Sequence, residues 1–291
     1  MRSRRWRRGL AILCASVVIA LGLVSTQLPA AGAGALLHPY RHHLTAPVPP
    51  TCRNATFSGD DVMLDGWQCR ASPNPRGSIV YLHGVADNRA SGAGVIDRFG
   101  RRGFDVVAYD SRAHGESGGD VCTYGFFEKR DLHRVLDTLA PGPVVLIGTS
   151  LGAAVALQEA AQDPRVTAVV AAETFSDLRT VAVERAPFFF TAGVIARAIA
   201  LAEAQGRFQI DAVSPVAAAA AIRQPVLLVH GSADTDTRPA HSQRVLEALA
   251  GPKRLMLVPG AHHNEALRGG AVWTEIERWI DEALVGRQSV R

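Results

Sequence analysis

The chain has 291 residues, of which 47% are apolar and 20% charged, a composition typical of a globular protein with a sizeable core. Its formal net charge is +4, but five arginines lie within the first eight residues. Removing these five from the 31 lysines and arginines leaves 26 basic against 27 acidic side chains. The rest of the chain is therefore near neutral, which argues against a nucleic-acid partner.

The first element in chain order is the apolar segment 9–24, GLAILCASVVIALGLV, which directly follows the arginines. A basic stretch before an apolar run is typical of an export signal or a membrane anchor. Small residues at 29–35, PAAGAGA, offer Ala-x-Ala cleavage sites. Residues 1–37 are therefore predicted to be a cleaved signal peptide or a retained membrane anchor. Either alternative places the rest of the chain outside the cytoplasm, and a retained anchor would make the membrane a partner.

A proline-rich linker is predicted over 38–50 and the folded domain over 51–291. The domain begins with CRNATFSGDDVMLDGWQC, which indicates a β-hairpin with a turn at its centre. Cys52 and Cys69 are equidistant from the midpoint of that turn. A regular hairpin brings them opposite each other, close enough for a disulfide, whereas another register leaves two unpaired thiols. A disulfide fits an oxidising compartment.

Six short apolar runs follow the hairpin, most of them continuous, as in strands that are buried on both faces. They lie at 78–83, 105–110, 143–148, 166–172, 225–230 and 253–260. Segments with helical spacing lie between and after them, at 91–102, 125–139, 150–162, 240–250 and 271–285. This alternation predicts an α/β fold with a mostly parallel, doubly wound sheet of about eight strands, the hairpin included.

One interval breaks the alternation, because about fifty residues without a strand precede the run at 225–230. Residues 176–218 are predicted to form a small helical cap over the carboxyl ends of the strands, where ligands bind in doubly wound folds. The alternative is one ordinary crossover helix with extended loops.

The motif Gly148-Thr149-Ser150-Leu151-Gly152 is G-x-S-x-G, placed between a predicted strand and a predicted helix. A nucleophilic serine in this setting needs a strained turn that holds its hydroxyl clear of the sheet. Gly148 and Gly152 remove the side chains that would collide with the adjacent strand and helix. Ser150 is therefore the candidate nucleophile.

A serine hydroxyl becomes a good nucleophile when an oriented base takes its proton. The strand at 225–230 is followed by two candidate acids, Asp234 and Asp236, and the last strand by two candidate bases, His262 and His263. The negative charge that develops on a tetrahedral intermediate also needs preorganised N–H donors. The backbone N–H groups of Val85 and Leu151 are the candidates for this oxyanion hole.

Six segments together resemble the α/β-hydrolases, and more narrowly the serine hydrolases with esterase-like members that carry an N-terminal membrane anchor or signal. The segments are LHGVADNR (82–89), AYDSRAHGESGG (108–119), TYGFFEKRDL (123–132), GTSLG (148–152), PVLLVHGSADT (225–235) and PGAHHN (259–264). The resemblance covers residues 60–285. In that group the catalytic acid is the Asp of an H-G-x-x-D pattern, and the catalytic histidine is the His of a G-A-x-H-N pattern. The resemblance therefore implies Asp234 over Asp236 and His263 over His262.

These observations predict a serine hydrolase that cleaves carboxylic esters, of small molecules or lipids, through a Ser-His-Asp triad and an acyl-enzyme intermediate. No metal or organic cofactor is expected. A peptidase, thioesterase or acyltransferase with the same triad is the alternative, and a non-catalytic binding protein is a further one. A peptidase that acts on free amino termini would use an acidic cap residue, for which Glu173, Glu184 and Glu203 are candidates.

Overall fold

A computed structural model describes residues 2–288, without the side chains of 2–5, 7, 18–21, 23–24 and 286–288. Residue 1 of the predicted leader, the side chains of most of its arginines and the last three residues of the predicted domain lie outside the described residues.

In the described part of the chain, eight strands form one sheet. They are β1 (Cys52–Ser58), β2 (Met63–Cys69), β3 (Ser78–Leu82), β4 (Asp105–Tyr109), β5 (Val144–Thr149), β6 (Val166–Ala172), β7 (Val226–Gly231) and β8 (Lys253–Val258). The strand order is β1-β2-β4-β3-β5-β6-β7-β8. Strands β3 to β8 are parallel, and the β1–β2 hairpin adds antiparallel to β4. The predicted mostly parallel sheet is confirmed.

The hairpin has the register that places Cys52 opposite Cys69. The structure contains the predicted disulfide between these residues. The remaining cysteines among the described residues are unpaired: Cys14 is exposed and Cys122 is buried.

Helices cover both faces of the sheet because the continuous apolar strands leave no face for solvent. The helices are α1 (Arg2–Leu37), α2 (Ala93–Arg101), α3 (Glu128–Leu136), α4 (Leu151–Ala160), α5 (Leu178–Glu184), α6 (Ala192–Gly206), α7 (Pro215–Ala219), α8 (Ala240–Ala248) and α9 (Gly270–Gln288). The core on one face contains apolar residues of α3, α4 and α8, and the core on the other contains residues of α2 and α9. This arrangement confirms the doubly wound layers.

The interval between β6 and β7 contains α5, α6 and α7, which confirms that the predicted cap is helical. A third apolar cluster joins this cap to the end of α1, where Ala33 and Leu37 are fully buried against residues such as Ile199 and Phe208. The backbone at Leu37 also accepts a hydrogen bond from the N–H of Cys122 at 2.8 Å. The last turns of α1 therefore belong to the folded body.

The predicted leader is helical from residue 2 onward. Among the described residues, no helix has both the length and the hydropathy needed to cross a bilayer. The predicted boundary at residue 37 stays a prediction, although the residues on both sides of it contact the domain. His38 follows α1 and bonds the carbonyl oxygen of Asp120 through Nδ1, at 2.8 Å.

Candidate active site

Ser150 lies at a sharp turn between β5 and α4. Its backbone has φ +49° and ψ −110°, a conformation that residues other than glycine rarely adopt, and its N–H donates to the carbonyl oxygen of Ala172 at 2.8 Å. A side-chain carbon on Gly148 would overlap the carbonyl of Gly152, and one on Gly152 would overlap the carbonyl of Leu82. The two glycines let the strand and the helix approach closely enough to keep Ser150 in this turn.

Three predicted site residues meet at the carboxyl ends of the strands. The hydroxyl oxygen of Ser150 lies 3.1 Å from Nε2 of His263, and Nδ1 of His263 lies 2.7 Å from a carboxylate oxygen of Asp234. The alternative residues, His262 and Asp236, do not take part in this series of side-chain hydrogen bonds. The ring of His262 is exposed, and Asp236 donates to Asp234 only through its backbone N–H, at 2.9 Å.

Asp234 is buried, and its carboxylate is surrounded by donors. The backbone N–H groups of Asp236 and Thr237 donate to one oxygen, and Nδ1 of His263 bonds the other. Burial alone would raise the pKa of this carboxyl, but hydrogen bonds from His230, His263 and Thr237 outweigh it and hold the pKa well below its ordinary value. Asp234 is therefore ionised over the whole physiological range and can orient the imidazole of His263 and stabilise its positive charge.

Val85 and Leu151 line the same cavity as Ser150. The backbone before Val85 approaches the serine closely, because a side-chain carbon on Gly84 would lie 3.6 Å from Cβ of Ser150. Within residues 2–288, the N–H groups of Val85 and Leu151 have no hydrogen-bond acceptor. Both are available as donors, as an oxyanion hole requires, and their role stays a prediction.

Comparison with known proteins supports the fold described above. A sequence profile of the α/β-hydrolase fold matches residues 77–195. An esterase of Pyrococcus furiosus superposes with a TM-score of 0.64 at 21% identity, over 85% of this chain and 97% of the esterase. The chain has the α/β-hydrolase fold.

Two further proteins are similar to this chain, one in sequence and one in structure. The uncharacterized protein YfhR of Escherichia coli O157:H7 is 29% identical over 243 residues, which are 79% of this chain and 80% of YfhR. An acylaminoacyl peptidase of Pyrococcus horikoshii has a TM-score of 0.64 at 15% identity, over 80% of this chain and 41% of the peptidase. The fold thus occurs in an esterase and in a peptidase, and the site residues must decide between such activities.

A cavity of about 500 Å³ opens beside Ser150. Its walls come from α1, α5, α6 and the segment between α5 and α6, and they are almost entirely apolar. The lining residues include Leu28, Leu36, Leu178, Phe189, Phe190 and Ile199. No carboxylate lines the cavity within the part of the chain that the structure describes. A ligand that enters it exchanges water for aliphatic and aromatic surface, which favours an alkyl or acyl group.

Among the described residues that line this cavity, Arg185 is the charged one. Its guanidinium donates to the carbonyl oxygen of Asp236 at 2.9 Å and to the hydroxyl of Thr237 at 2.6 Å. One of its nitrogens also lies 3.4 Å from Nε2 of His263. A cation is thus held directly beside the proposed reaction centre, at a position that no sequence motif marks.

Glu173 is a second residue whose role no local sequence pattern indicates. It directly follows β6, is fully buried, and its carboxylate accepts hydrogen bonds from the backbone N–H groups of Asn264, Glu265 and Ala266 at 2.9 to 3.2 Å. These three residues directly follow His263. Glu173 therefore fixes the loop that presents the histidine.

Other titratable residues near the predicted motifs have structural contacts. Nε2 of His83 accepts from the N–H of Ser111, and Nδ1 of His114 bonds the carbonyl oxygen of Arg112. His133, Glu159 and Asp163 lie close enough together to suggest a cation site. Arg165, however, already donates to both oxygens of Asp163, and His133 bonds Glu159, so this cluster is explained as an ion-pair network.

Proposed function

We propose that the protein is a serine hydrolase that cleaves carboxylic esters with an apolar acyl group. The observation that carries the proposal is the continuous hydrogen-bonded chain from Ser150 through His263 to Asp234, at 3.1 and 2.7 Å. Nucleophile, base and orienting acid at these separations have the geometry of covalent acyl transfer.

In the proposed mechanism, Nε2 of His263 takes the hydroxyl proton of Ser150 while the oxygen attacks the ester carbonyl. The oxyanion that forms accepts hydrogen bonds from the N–H groups of Val85 and Leu151. Protonated His263, stabilised by Asp234, then gives its proton to the leaving alkoxide, and the acyl group remains on Ser150. Water, deprotonated by His263, attacks the acyl-enzyme, and collapse of the second intermediate releases the acid and restores the serine.

The cavity favours an ester substrate over a peptide with a free amino terminus. Binding a substrate ammonium group in this apolar cavity requires an acidic partner. The three candidate acids are engaged elsewhere: Glu173 binds the loop after His263, Glu184 lies 3.0 Å from His241, and Glu203 accepts from the N–H of Ile210. The charge that does face the cavity, Arg185, has the opposite sign. Thioesters, and transfer to an acceptor other than water, would use the same triad.

The test is covalent labelling of the full-length protein with a fluorophosphonate probe, with Ser150→Ala as the matched variant. We expect labelling of the wild type, none of the variant, and hydrolysis of acyl esters by the wild type alone. If folded wild-type protein neither reacts with the probe nor hydrolyses esters, the catalytic proposal is wrong and the non-catalytic alternative is favoured.

We also propose that the domain lies outside the cytoplasm. The arginines before an apolar segment support export, and the Cys52–Cys69 disulfide supports an oxidising compartment. The test is the accessibility of a C-terminal tag to protease added to intact spheroplasts. Tag protection equal to that of a cytoplasmic marker would refute this location.

A further inference from the structure

The last turns of α1 are built into the cap instead of projecting away from it. A side-chain carbon on Gly32 would lie 3.0 Å from Cβ of Ala198 in α6, so the two helices pack at close range. At the end of α1, Leu37 fills the space above Gly206, where an added carbon would lie 2.8 Å from the leucine side chain. Small residues at both contacts allow this approach.

The same turns of α1 form one wall of the cavity beside Ser150. Five cavity-lining residues come from this helix: Leu28, Ala31, Gly32, Ala35 and Leu36. Cleavage after Ala33 or Ala35 would remove most of them and would expose the apolar faces of Phe190 and Ile199 on the opposite wall. A chain cleaved at either position would therefore lack most of this cavity wall.

We propose that the N-terminal helix is retained in the active protein and that residues 28–36 form the wall along which the substrate acyl chain lies. This proposal rests on the proposed esterase function and adds the identity of the acyl-binding surface. Long acyl chains reach α1, whereas an acetyl group remains at Ser150. Changes in α1 should therefore alter chain-length selectivity and leave the chemistry of short esters intact.

The test compares Ala31→Leu, which places bulk in the cavity, with Ala30→Leu, a neighbouring exposed alanine outside the cavity wall. Full-length proteins in detergent micelles are assayed on p-nitrophenyl acetate and p-nitrophenyl dodecanoate. We expect Ala31→Leu to lower the dodecanoate-to-acetate ratio of kcat/KM at least tenfold, and Ala30→Leu to leave it unchanged. Equal ratios in the two variants would overturn the proposal.

Intact mass of the active, C-terminally tagged protein gives a second readout. A mass that includes residues 28–36 is expected, and an active chain that begins at residue 34 or 36 would overturn the proposal. Fluorophosphonate labelling separates this failure from failure of the esterase function, because an unlabelled wild type points to the triad, whereas a labelled protein with unchanged selectivity points to α1 alone.

Arg185 independently supports an inference about the alcohol part of the ester substrate. Its guanidinium is held by neutral oxygen acceptors, and among the described residues no carboxylate pairs with it. Guanidinium groups bind carboxylates and phosphates through paired hydrogen bonds. From its position 3.4 Å from Nε2 of His263, we infer that Arg185 binds an anionic group, carboxylate or phosphate, on the alcohol part of the ester.

The test uses three decanoyl esters, of glycerol, glycerol 3-phosphate and glycerate, with the wild type, Arg185→Gln and the exposed control Arg197→Gln. We expect the wild type and the control to prefer one or both anionic esters. Arg185→Gln should raise KM for the preferred ester at least tenfold with little change for the glycerol ester. The phosphate and carboxylate arms identify the anion, and the same substrate ratios in all three proteins would refute the inference.

Discussion

The carboxylate of Glu173 accepts a hydrogen bond at 2.9 Å from the backbone N–H of Asn264, the residue directly after His263. Glu173 follows β6, whereas His263 lies in the loop after β8, so this contact ties the histidine loop to the end of a central strand. Because the donors are backbone N–H groups, this contact does not depend on which side chains the loop carries. The position of His263 therefore depends on one buried carboxylate outside the triad.

Glu173→Gln should retain the fold and lower kcat/KM for short esters by roughly 10- to 100-fold, as loss of a group that orients a functional side chain typically does. The reason is that an amide supplies only one acceptor oxygen to three N–H groups. Ester hydrolysis and the rate of fluorophosphonate labelling measure the effect, and Glu247→Gln on the exposed side of α8 is the control. Equal labelling rates in both variants would contradict this role.

Asp234→Asn should lower kcat about 10⁴-fold, since an amide favours the wrong histidine tautomer and cannot stabilise the imidazolium. Asp236→Asn provides a matched control two residues away, because the exposed side chain of Asp236 does not contact the triad. Steady-state hydrolysis of p-nitrophenyl acetate distinguishes the two variants. A loss of similar size in both would mean that the loop conformation, and not the charge of Asp234, is being measured.

Gly152→Ala should destabilise the protein by about 3 kcal/mol or more, because the added methyl group overlaps the backbone of Leu82. Gly94→Ala in α2 is the opposite case, since no atom from outside this part of the helix backbone lies within 4 Å of the added carbon. That change should stabilise the protein by about 0.5–1 kcal/mol through the greater helix propensity of alanine. Denaturant unfolding measures the change in the free energy of unfolding for each variant. Unchanged stability of Gly152→Ala would argue against the tight turn.

Stability should fall as the pH drops from about 6.5 toward 4. Burial, with a further contribution from His83 beside it, lowers the pKa of His114 to about 4. The unfolded chain, with an ordinary histidine pKa of about 6.5, binds a proton in this window while the native protein does not, so acid favours unfolding. The loss from His114 is about 3 kcal/mol across the window. Denaturant unfolding at several pH values should show a shallower slope for His114→Gln, whereas the exposed control His262→Gln should keep the wild-type slope.

Removal of the disulfide in the Cys52→Ser, Cys69→Ser double variant should cost about 3 kcal/mol, the value typical for a closed loop of this length. The disulfide closes the hairpin at its open end, at the edge of the sheet, so the triad should keep its geometry. Thermal unfolding measures the loss and fluorophosphonate labelling checks the site. If the folded double variant is no longer labelled, the hairpin supports the active site more directly than its contacts indicate.

The strands, the turn at Ser150 and the disulfide register could be predicted because each depends on a local pattern. Continuous apolar runs indicate buried parallel strands, the glycines of 148–152 indicate a tight turn, and a regular hairpin fixes which cysteines face each other. The choice of Asp234 and His263 over their neighbours needed the family resemblance, because spacing alone leaves both pairs open. The structure brings the chosen residues within hydrogen-bonding distance of each other and of Ser150.

The roles of Glu173, Arg185 and the end of α1 were not predicted because they depend on contacts between residues far apart in the chain. Glu173 was considered as a substrate-binding acid, whereas the structure uses it to hold backbone ninety residues downstream. The segment at 29–35 has the small residues of a cleavage site, and the same small residues permit close helix packing. Composition does not distinguish a cleavage site from a helix contact. The difference is whether a signal peptidase or another helix of the protein lies against these small residues.

The two strands at the ends of the sheet order, β1 and β8, have further consequences for the behaviour of the protein at high concentration. Open sheet edges are templates for edge-to-edge aggregation, which charged side chains on edge strands oppose. Near its start, β1 carries the exposed Arg53, and β8 begins with the exposed Lys253 and Arg254. Two molecules that joined their sheets at these edges would bring Arg53 or Lys253 close to another cation, which opposes edge-to-edge association.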